Sequence, residues 1–202
     1  MSKRRSTHGK RCQRCRINMS LCFCDQIIEH DTKTRISIIM HHREEHLTSN
    51  TAKLATMTLK NSKIYPRGLP EAPFSINLLN MDSSSKALYL FPAEDALELN
   101  KEFIESHPGP YHLIVPDGTW SQTMKVRRRE PGLSEITCVK ISDNIKGEYK
   151  LRRGVREDGV CTFEAIAYAL EILESKELSI DLLRQFRIMN NRVAKSRSEF
   201  EN

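Results

Sequence analysis

Four stretches of the chain carry the apolar pattern of β-strands. Residues 35–40, 87–91 and 111–115 are short and mostly apolar, and residues 135–141 alternate between apolar and polar positions. Runs of this length that are bounded by turn residues favour strands over helices. A proline directly follows the second run and another follows the third. Because proline cannot donate to a strand ladder, we expect both strands to end there.

Segments with the helical spacing of apolar residues separate the predicted strands. Ser49 or Asn50 is a suitable N-cap for the first of these helices. The prolines and the glycine between residues 66 and 73 predict a long loop instead. The predicted helices cover residues 51–59, residues 93–105, a segment ending at Arg129, and two C-terminal segments that begin at Thr162 and Ser179.

Strands that alternate with helices of about ten residues predict an α/β domain with a mostly parallel sheet flanked by helices. The chain has 202 residues, 39% of them apolar, which suffices for one such domain and a small appendage. Ligands of these sheets bind beyond the carboxyl ends of the strands. We therefore expect the chemistry in the loops that follow Met40, Phe91 and Val115.

The net charge of +6 is concentrated at one end of the chain. Residues 1–24 contain seven lysines and arginines and no acidic residue, so the remaining residues sum to −1 (+6 minus +7). Such an extension is expected to bind a polyanion, although a solvated tail is the alternative. No apolar run follows it, and no stretch approaches the roughly 18 apolar residues of a membrane span. These features predict a cytoplasmic protein without a membrane anchor.

Four of the six cysteines lie within thirteen residues, in the pattern C-x2-C-x6-C-x-C. Their thiolates could hold one tetrahedral zinc ion, and this site would be structural because four protein ligands leave no open position. Disulfides are disfavoured in a cytoplasmic chain. The pattern predicts a basic zinc-binding segment at residues 1–30, ahead of the α/β domain at residues 31–202. The four ligands would be Cys12, Cys15, Cys22 and Cys24.

The stretch Asp117-Gly118-Thr119-Trp120 follows the third predicted strand. A glycine at this point allows a sharp turn or the close approach of a ligand to the backbone. The face of Trp120 suits stacking on a nucleobase. The alternative is structural, with Asp117 as a helix N-cap and Trp120 as a core anchor at the start of the helix.

Other polar stretches lie near helix starts. The small residues at 49–51 could hold a carboxylate or a phosphate, or simply cap a helix. A basic loop at residues 149–153 leads towards Thr162, a candidate N-cap, and Glu164, whose charge complements the helix dipole. The histidines at positions 41, 42 and 46 lack metal-ligand spacing and predict a surface loop. The sequence contains neither a P-loop nor a G-x-G-x-x-G fingerprint.

Together these motifs resemble the DTW-domain family, the tRNA-uridine aminocarboxypropyltransferases. The order and spacing of six short motifs carry the resemblance over nearly the whole chain. One departure is His41-His42, where the family often has His-Pro. The motifs are the cysteines of 12–24, the strand at 36–40 leading to Ser49-Asn50-Thr51, Leu90-Phe91-Pro92, Asp117-Gly118-Thr119-Trp120, Tyr149-Lys150-Leu151-Arg152 and Cys161-Thr162-Phe163-Glu164-Ala165.

The resemblance implies a SPOUT-like α/β fold and S-adenosylmethionine as the donor of a 3-amino-3-carboxypropyl group. The acceptor would be N3 of a uridine in tRNA, and methylthioadenosine would be the other product. Residues expected to bind S-adenosylmethionine are Asn50, Thr51, Phe91, Pro92, Asp117, Gly118, Thr119, Leu151, Thr162, Glu164 and Ala165.

Asp117 and Trp120 are the candidate catalytic residues. Asp117 would accept the N3 proton or hold the uracil edge. An ordinary aspartate has a pKa of about 3.9 and is a weak base, so the first role requires burial. Trp120 would stack on a base or form part of the pocket wall. The residues expected to bind tRNA are Arg4, Arg5, Lys10, Arg11, Arg127, Arg128, Arg152 and Arg153.

Two alternative functions stay open on the sequence alone. A methyltransferase with the same donor would present the methyl carbon to the RNA. A noncatalytic zinc-ribbon protein would use only the basic face to bind RNA. The residues do not decide between a monomer and a homodimer, and they do not identify the uridine that is modified.

Overall fold

Six parallel strands and five α-helices build the part of the chain that the computed structural model describes, residues 11–149, 151 and 159–198. This architecture confirms the predicted α/β class with a parallel sheet. The strands are β1 (Arg35–His41), β2 (Ser62–Arg67), β3 (Lys86–Leu90), β4 (Leu97–Glu98), β5 (Tyr111–Asp117) and β6 (Thr137–Lys140). The helices are α1 (Ala52–Thr58), α2 (Lys101–Ser106), α3 (Trp120–Arg129), α4 (Thr162–Leu173) and α5 (Lys176–Ser198).

The strands are not arranged in chain order. Their sequence across the sheet is β2-β1-β5-β3-β6-β4, and every neighbouring pair is parallel. Met40 near the end of β1 lies opposite Asp117 at the end of β5. On the other side, Leu90 at the end of β3 lies opposite Val139 of β6. The carboxyl ends of the four central strands therefore meet along one edge, which we call the carboxyl edge.

Helices cover both faces of the sheet. Along β1, Ile36 and Ile38 belong to the same apolar cluster as residues of α1, α2, α4 and α5, whereas Ile39 packs in a second cluster with Val126 of α3. This alternation follows from the period of two along a strand and explains why both faces of the strand carry apolar residues. Among the described helices, none is long and apolar enough to cross a membrane.

The cysteine-containing segment packs against the α/β domain. Ile17, Leu21 and Phe23 are buried and belong to the same apolar cluster as the helices of one sheet face. Gln185 of α5 accepts a hydrogen bond from the backbone N–H of Ile28 (2.9 Å) and donates one to its carbonyl (3.2 Å). The division at residue 30 stays a prediction, but the segment shares its core with the rest of the chain.

Two prolines lie inside strands, contrary to expectation. The loop predicted from residue 66 is wrong at its start, because Pro66 belongs to β2. This strand is at the edge of the sheet, where a missing N–H is tolerated. Pro116 was expected to end the third predicted strand, but β5 continues to Asp117. Pairing of β5 with β3 already ends at Ile114, so Pro116 needs no ladder bond on that side.

The predicted helix over residues 93–105 is wrong in its first half. The backbone N–H of Leu99 donates to the carbonyl of Lys140 (2.8 Å), which continues the pairing of β4 with β6. Asn100 then caps α2, since its Oδ1 accepts a hydrogen bond from Phe103 N (2.9 Å). The last helix begins at Lys176 rather than at Ser179. The helices predicted at 51–59 and from Thr162 are confirmed as α1 and α4, although Thr51, rather than Ser49 or Asn50, is the N-cap of α1.

A buried histidine makes the stability of the fold depend on pH. His112 Nε2 and Ser37 Oγ lie 2.7 Å apart between β5 and β1. Burial, together with the charge of Arg35, lowers the pKa of His112 from 6.5 to about 4. The unfolded chain therefore binds a proton at a pH where the folded chain does not, and stability is lost as the pH falls from about 6.5 to about 4.

We expect the loss to approach about 3 kcal/mol at the low end of this range, at about 1.4 kcal/mol per pKa unit. Urea unfolding of the wild type and of His112→Gln, each measured at pH 7 and pH 5, tests this. The variant should lose less stability between the two pH values. An equal loss in both proteins would show that other groups cause the pH dependence.

Candidate functional site

A cavity of about 670 Å³ opens at the carboxyl edge of the sheet. This volume lies within the range of small-molecule sites. Its position agrees with the expectation that the chemistry lies beyond the strand ends. The described residues that line it come from the loop before α1 (Ser49, Thr51), the end of β3 (Leu90, Phe91, Pro92), the end of β5 and the start of α3 (Val115, Pro116, Gly118, Thr119, Trp120, Thr123), the loop after β6 (Lys140, Ile141, Ser142, Asp143, Ile145, Tyr149) and the start of α4 (Gly159, Val160, Cys161, Thr162, Ala165).

Asp117 lies at the centre of a buried hydrogen-bond network beside this cavity. Its side chain is only 3% exposed and is not part of the wall that the described residues form. Asn50 Nδ2 donates to one carboxylate oxygen (2.7 Å), and Thr162 Oγ1 donates to the other (2.6 Å). The carboxylate therefore joins the end of β5 to the loop before α1 and to the first residue of α4.

The same network extends to the loops on either side. Asn50 Oδ1 accepts a hydrogen bond from Lys53 N (3.2 Å) in the first turn of α1. The hydroxyl of Tyr149 donates to the carbonyl of Ser49 (2.7 Å). Ser49 and Tyr149 both line the cavity. These bonds fix the position of the wall that the two loops form.

The first turn of α3 carries Trp120 to the mouth of the cavity. Thr119 caps this helix, because its hydroxyl accepts from Gln122 N (3.4 Å) while Gln122 Oε1 accepts from Thr119 N (2.7 Å). The interpretation of Asp117 as the N-cap is therefore wrong. Trp120 is 47% exposed, so the core-anchor interpretation is wrong as well. Its ring packs on Phe91, with centroids 5.3 Å apart.

Glu164 holds two segments next to the cavity in place through hydrogen bonds. This residue is fully buried in α4, and its carboxylate accepts hydrogen bonds from Cys161 N (2.9 Å) and Glu148 N (2.5 Å). The side chain of Glu148 forms a bidentate pair with Arg187 of α5 (2.6 and 2.8 Å), which lowers the pKa of Glu148. The loop after β6 is thus attached to α4 and α5. Cys161, rather than the predicted Thr162, is the N-cap of α4.

The residues predicted to bind S-adenosylmethionine fall into two groups. Most line the cavity, while four described ones, Asn50, Asp117, Leu151 and Glu164, are not part of its wall. The sequence reasoning missed the loop after β6. The alternating pattern that ends at residue 141 could have indicated this loop, because β6 also ends at the carboxyl edge of the sheet. The predicted S-adenosylmethionine residues that line the cavity are Thr51, Phe91, Pro92, Gly118, Thr119, Thr162 and Ala165, and the candidate catalytic residue Trp120 lines it as well.

Three of the residues predicted to bind RNA, Arg11, Arg127 and Arg128, lie within the described part of the chain. Arg127 forms a bidentate ion pair with Asp95 (2.7 Å to each oxygen). Arg128 is exposed on α3, and Arg11 donates to the carbonyl of Arg16 (3.2 Å). The others, Arg4, Arg5, Lys10, Arg152 and Arg153, lie outside the described residues.

The four clustered cysteines form a set of potential metal ligands. All four sulfur atoms lie within 4.8 Å of one another. The Sγ atoms of Cys12 and Cys24 are 3.7 Å apart, and those of Cys15 and Cys22 are 3.8 Å apart. A tetrahedron with metal–sulfur bonds of about 2.3 Å has edges of about 3.8 Å. The cluster therefore has the dimensions of a four-thiolate metal site.

Comparison with known proteins identifies the family and three relatives that share one name. The DTW domain model matches residues 9–194. The chain is similar to a Drosophila melanogaster protein named tRNA-uridine aminocarboxypropyltransferase 2, with 27% identity over 202 residues that cover 94% of this chain and 80% of that protein. The proteins of that name from Macaca fascicularis and Mus musculus are also 27% identical, over 81% of this chain and 56% of their own length. No solved structure matches.

Proposed function

Because the chain belongs to the DTW-domain family, we propose that it is a tRNA-uridine aminocarboxypropyltransferase that transfers the 3-amino-3-carboxypropyl group of S-adenosylmethionine to N3 of a uridine. The observation that carries this proposal is the cavity at the carboxyl edge, which the residues of the Asp117-Gly118-Thr119-Trp120 motif border. The names of the relatives indicate tRNA as the substrate. The cytoplasmic location and the SPOUT-like assignment stay predictions; the parallel sheet with non-sequential strand order supports the latter.

The proposed reaction is a direct displacement at the γ-carbon of the methionine moiety. The N3–C bond forms as the C–S bond breaks, the electron pair of that bond goes to sulfur, and the N3 proton is lost to a base. Neutral methylthioadenosine leaves. Because the methyl carbon is attached to the same sulfur, the choice between the two carbons depends on orientation in the site.

The cavity wall has an apolar part and a polar part, and S-adenosylmethionine requires both. Phe91, Pro92 and Val160 are apolar and suit the adenine ring. Thr51 and Thr119 line the same cavity, and we propose that their hydroxyl groups bind the polar parts of the molecule. Trp120 at the mouth would separate this site from the RNA and stack on a base.

For Asp117 we propose a positioning role rather than that of the base. Both of its oxygens already accept hydrogen bonds, from Asn50 and Thr162, and its side chain is buried. Thr162 lines the cavity, and Asn50 directly precedes Thr51, which also lines it. A carboxylate in this place fixes two sides of the cavity at once.

The fate of S-adenosylmethionine tests the proposed function. Two samples, one labelled in the carboxyl carbon and one in the methyl carbon, would be incubated separately with the protein and unmodified tRNA. We expect only the carboxyl label to enter the RNA, with methylthioadenosine in the supernatant. Entry of the methyl label alone would identify a methyltransferase. Binding of tRNA without transfer of either label would favour the noncatalytic RNA-binding protein.

Gly147→Ala is expected to weaken the binding of S-adenosylmethionine. A Cβ atom at Gly147 would lie 2.2 Å from the carbonyl oxygen of Gly159 and 3.0 Å from Cα of Val160. Both of these residues line the cavity, so the wall must move. A clash of this kind costs about 1–3 kcal/mol, and we expect the dissociation constant, measured by calorimetry, to rise about tenfold.

Gly132→Ala is the matched control for this variant. Gly132 has a φ of +86°, and a Cβ there would lie 3.0 Å from Ile76 Cδ1, so the change should destabilise the fold. It does not line the cavity, and the affinity for S-adenosylmethionine should persist. If Gly147→Ala binds S-adenosylmethionine with wild-type affinity, the contact of Gly147 with Gly159 and Val160 does not determine the shape of the site.

A further inference from the structure

Helix α3 presents an exposed apolar surface beside the mouth of the cavity. Trp120 and Met124 are 47% and 55% exposed. Residues four positions apart lie on the same side of a helix, so the two side chains form one patch. Trp120 also lines the cavity and packs on Phe91. The patch is therefore continuous with the cavity mouth.

Basic side chains lie on the solvent-facing side of the same helix, and Arg128, four residues after Met124, directly continues the patch. The sequence of α3 contains four basic residues and no acidic one. Arg127 is neutralised by its ion pair with Asp95. Lys125, Arg128 and Arg129 are exposed, and none of them has an ion-pair partner within the described ranges. The helix dipole favours a basic last turn, but it does not account for an exposed indole and thioether beside it.

We propose that this face of α3 binds a single-stranded segment of the acceptor RNA, an inference that rests on the proposed function. A base adjacent to the acceptor uridine stacks on Trp120 and Met124, and the phosphates that follow contact Lys125, Arg128 and Arg129. From residue 120 to residue 128 the helix rises about 12 Å, at 1.5 Å per residue, so that these phosphates bind about one and a half to two and a half helical turns from the stacked base.

The chemistry of the acceptor favours an unpaired strand. N3 of a paired uridine carries the Watson–Crick hydrogen bond and is inaccessible to an alkylating carbon. Enzymes that act on such an atom therefore bind single-stranded substrate or extrude the nucleotide from the stack. Sequence-tolerant single-strand binders combine an aromatic platform with a basic track along the backbone, and α3 carries both beside the cavity.

Intrinsic fluorescence reports on this contact directly, because Trp120 is the only tryptophan in the chain. A single-stranded oligouridylate would be titrated into the protein in the presence of saturating methylthioadenosine, so that the occupancy of the cavity does not change during the titration. We expect saturable quenching of the tryptophan emission. An RNA duplex of equal length should bind more weakly and quench little. Equal binding of the duplex without quenching would show a surface that recognises charge alone and would overturn the proposed stacking.

We call the surface formed by Trp120, Met124, Lys125, Arg128 and Arg129 the platform. The variant Lys125→Gln/Arg128→Gln/Arg129→Gln tests its basic part. We expect its affinity for the oligouridylate to fall at least tenfold at low salt. Three lost phosphate contacts should reduce the slope of log K against log salt by about 2, at about 0.7 per contact for single strands. Its affinity for S-adenosylmethionine should stay at the wild-type value, since these three side chains do not line the cavity.

The matched control removes three charges at the opposite edge of the sheet. All three are exposed: Lys33 and Lys60 lie two residues before β1 and β2, and Lys86 begins β3. Their simultaneous replacement by Gln should leave both the affinity and the salt slope close to the wild-type values. If the two triple variants lose affinity equally, the RNA is held by net charge and the platform on α3 does not exist.

The outcomes separate this inference from the proposed function. Transfer of the aminocarboxypropyl group by a protein whose tryptophan is not quenched, and whose α3 variant binds RNA normally, would overturn the platform while the function stands. Specific quenching and a reduced salt slope in a protein that transfers nothing would support the platform and overturn the function. Preference of the α3 face for anionic vesicles over the oligouridylate would also overturn the platform.

Discussion

Asp117→Asn is expected to lower the transfer rate by on the order of a hundredfold, because a small misplacement of the site can cost that much. In the wild type, Asn50 Nδ2 and Thr162 Oγ1 each donate to one carboxylate oxygen, over 2.7 Å and 2.6 Å. An amide has only one oxygen and cannot accept on both sides. One buried donor then loses its partner, at a cost of about 1–3 kcal/mol in stability.

Adding Asn50→Asp to Asp117→Asn is expected to restore most of the rate. The new carboxylate at position 50 can accept a hydrogen bond from the amide at position 117, which reverses the direction of that bond. It can still accept from Lys53 N, as Asn50 Oδ1 does in the wild type. The amide oxygen at position 117 remains for Thr162. Asn50→Asp alone places two carboxylates in contact and should be the least stable of the set.

Urea unfolding, affinity for S-adenosylmethionine and transfer rate would be measured for the wild type, the two single variants and the double variant. Recovery of all three quantities in the double variant indicates that Asp117 positions Asn50 and Thr162. If stability and affinity recover while transfer stays low, the carboxylate at position 117 itself takes the N3 proton. That result would contradict the positioning role.

Loss of metal from the cysteine cluster is expected to lower the melting temperature by roughly 10–20 °C. We propose zinc as the metal, held by the four thiolates. The segment buries Ile17, Leu21 and Phe23 in the main core. Each such side chain contributes about 1.5–3 kcal/mol when buried, so the lower end of this range gives about 5 kcal/mol for the three together. A chain of this size shifts its melting temperature by about 2–4 °C per kcal/mol.

Cys12→Ser and Cys138→Ala form a matched pair for this experiment. Cys12 belongs to the cluster, whereas Cys138 is buried in the second apolar cluster and donates to the carbonyl of Phe91. We expect atomic emission spectrometry to find one zinc ion per chain in the wild type and in Cys138→Ala, and much less zinc in Cys12→Ser. A wild-type protein without metal, whose melting temperature is unchanged by a strong chelator, would contradict the zinc assignment.

The sequence predicted the central strands well, for a physical reason. β1, β3 and β5 are covered on both faces, so most of their residues are apolar and the strands stand out from their surroundings. β2 lies at the edge, exposes Lys63 and contains Pro66, and for these reasons it resembles a loop. β4 has only two residues, which is too short for any periodicity. Element type could thus be predicted where burial was complete.

The location of the site was predictable, whereas its internal bonding was not. A parallel sheet binds ligands at its carboxyl edge, which directs attention to the segment that begins with Asp117. The hydrogen-bond partners of this carboxylate are 67 and 45 residues away, and no local pattern encodes such pairings. The exposure of Trp120 could not be predicted from the sequence either, since an aromatic residue at a helix start is compatible with a buried position or with a position at the rim of a cavity.

Mass spectrometry of the nucleosides in tRNA treated with the protein and S-adenosylmethionine tests the central claim most directly. The tRNA should come from cells that lack the modification, so that all of the product is new. We predict a uridine that carries the 3-amino-3-carboxypropyl group on N3, formed in equal amount to the methylthioadenosine released. A methylated uridine formed together with S-adenosylhomocysteine, or no new nucleoside despite measured binding of both substrates, would contradict it.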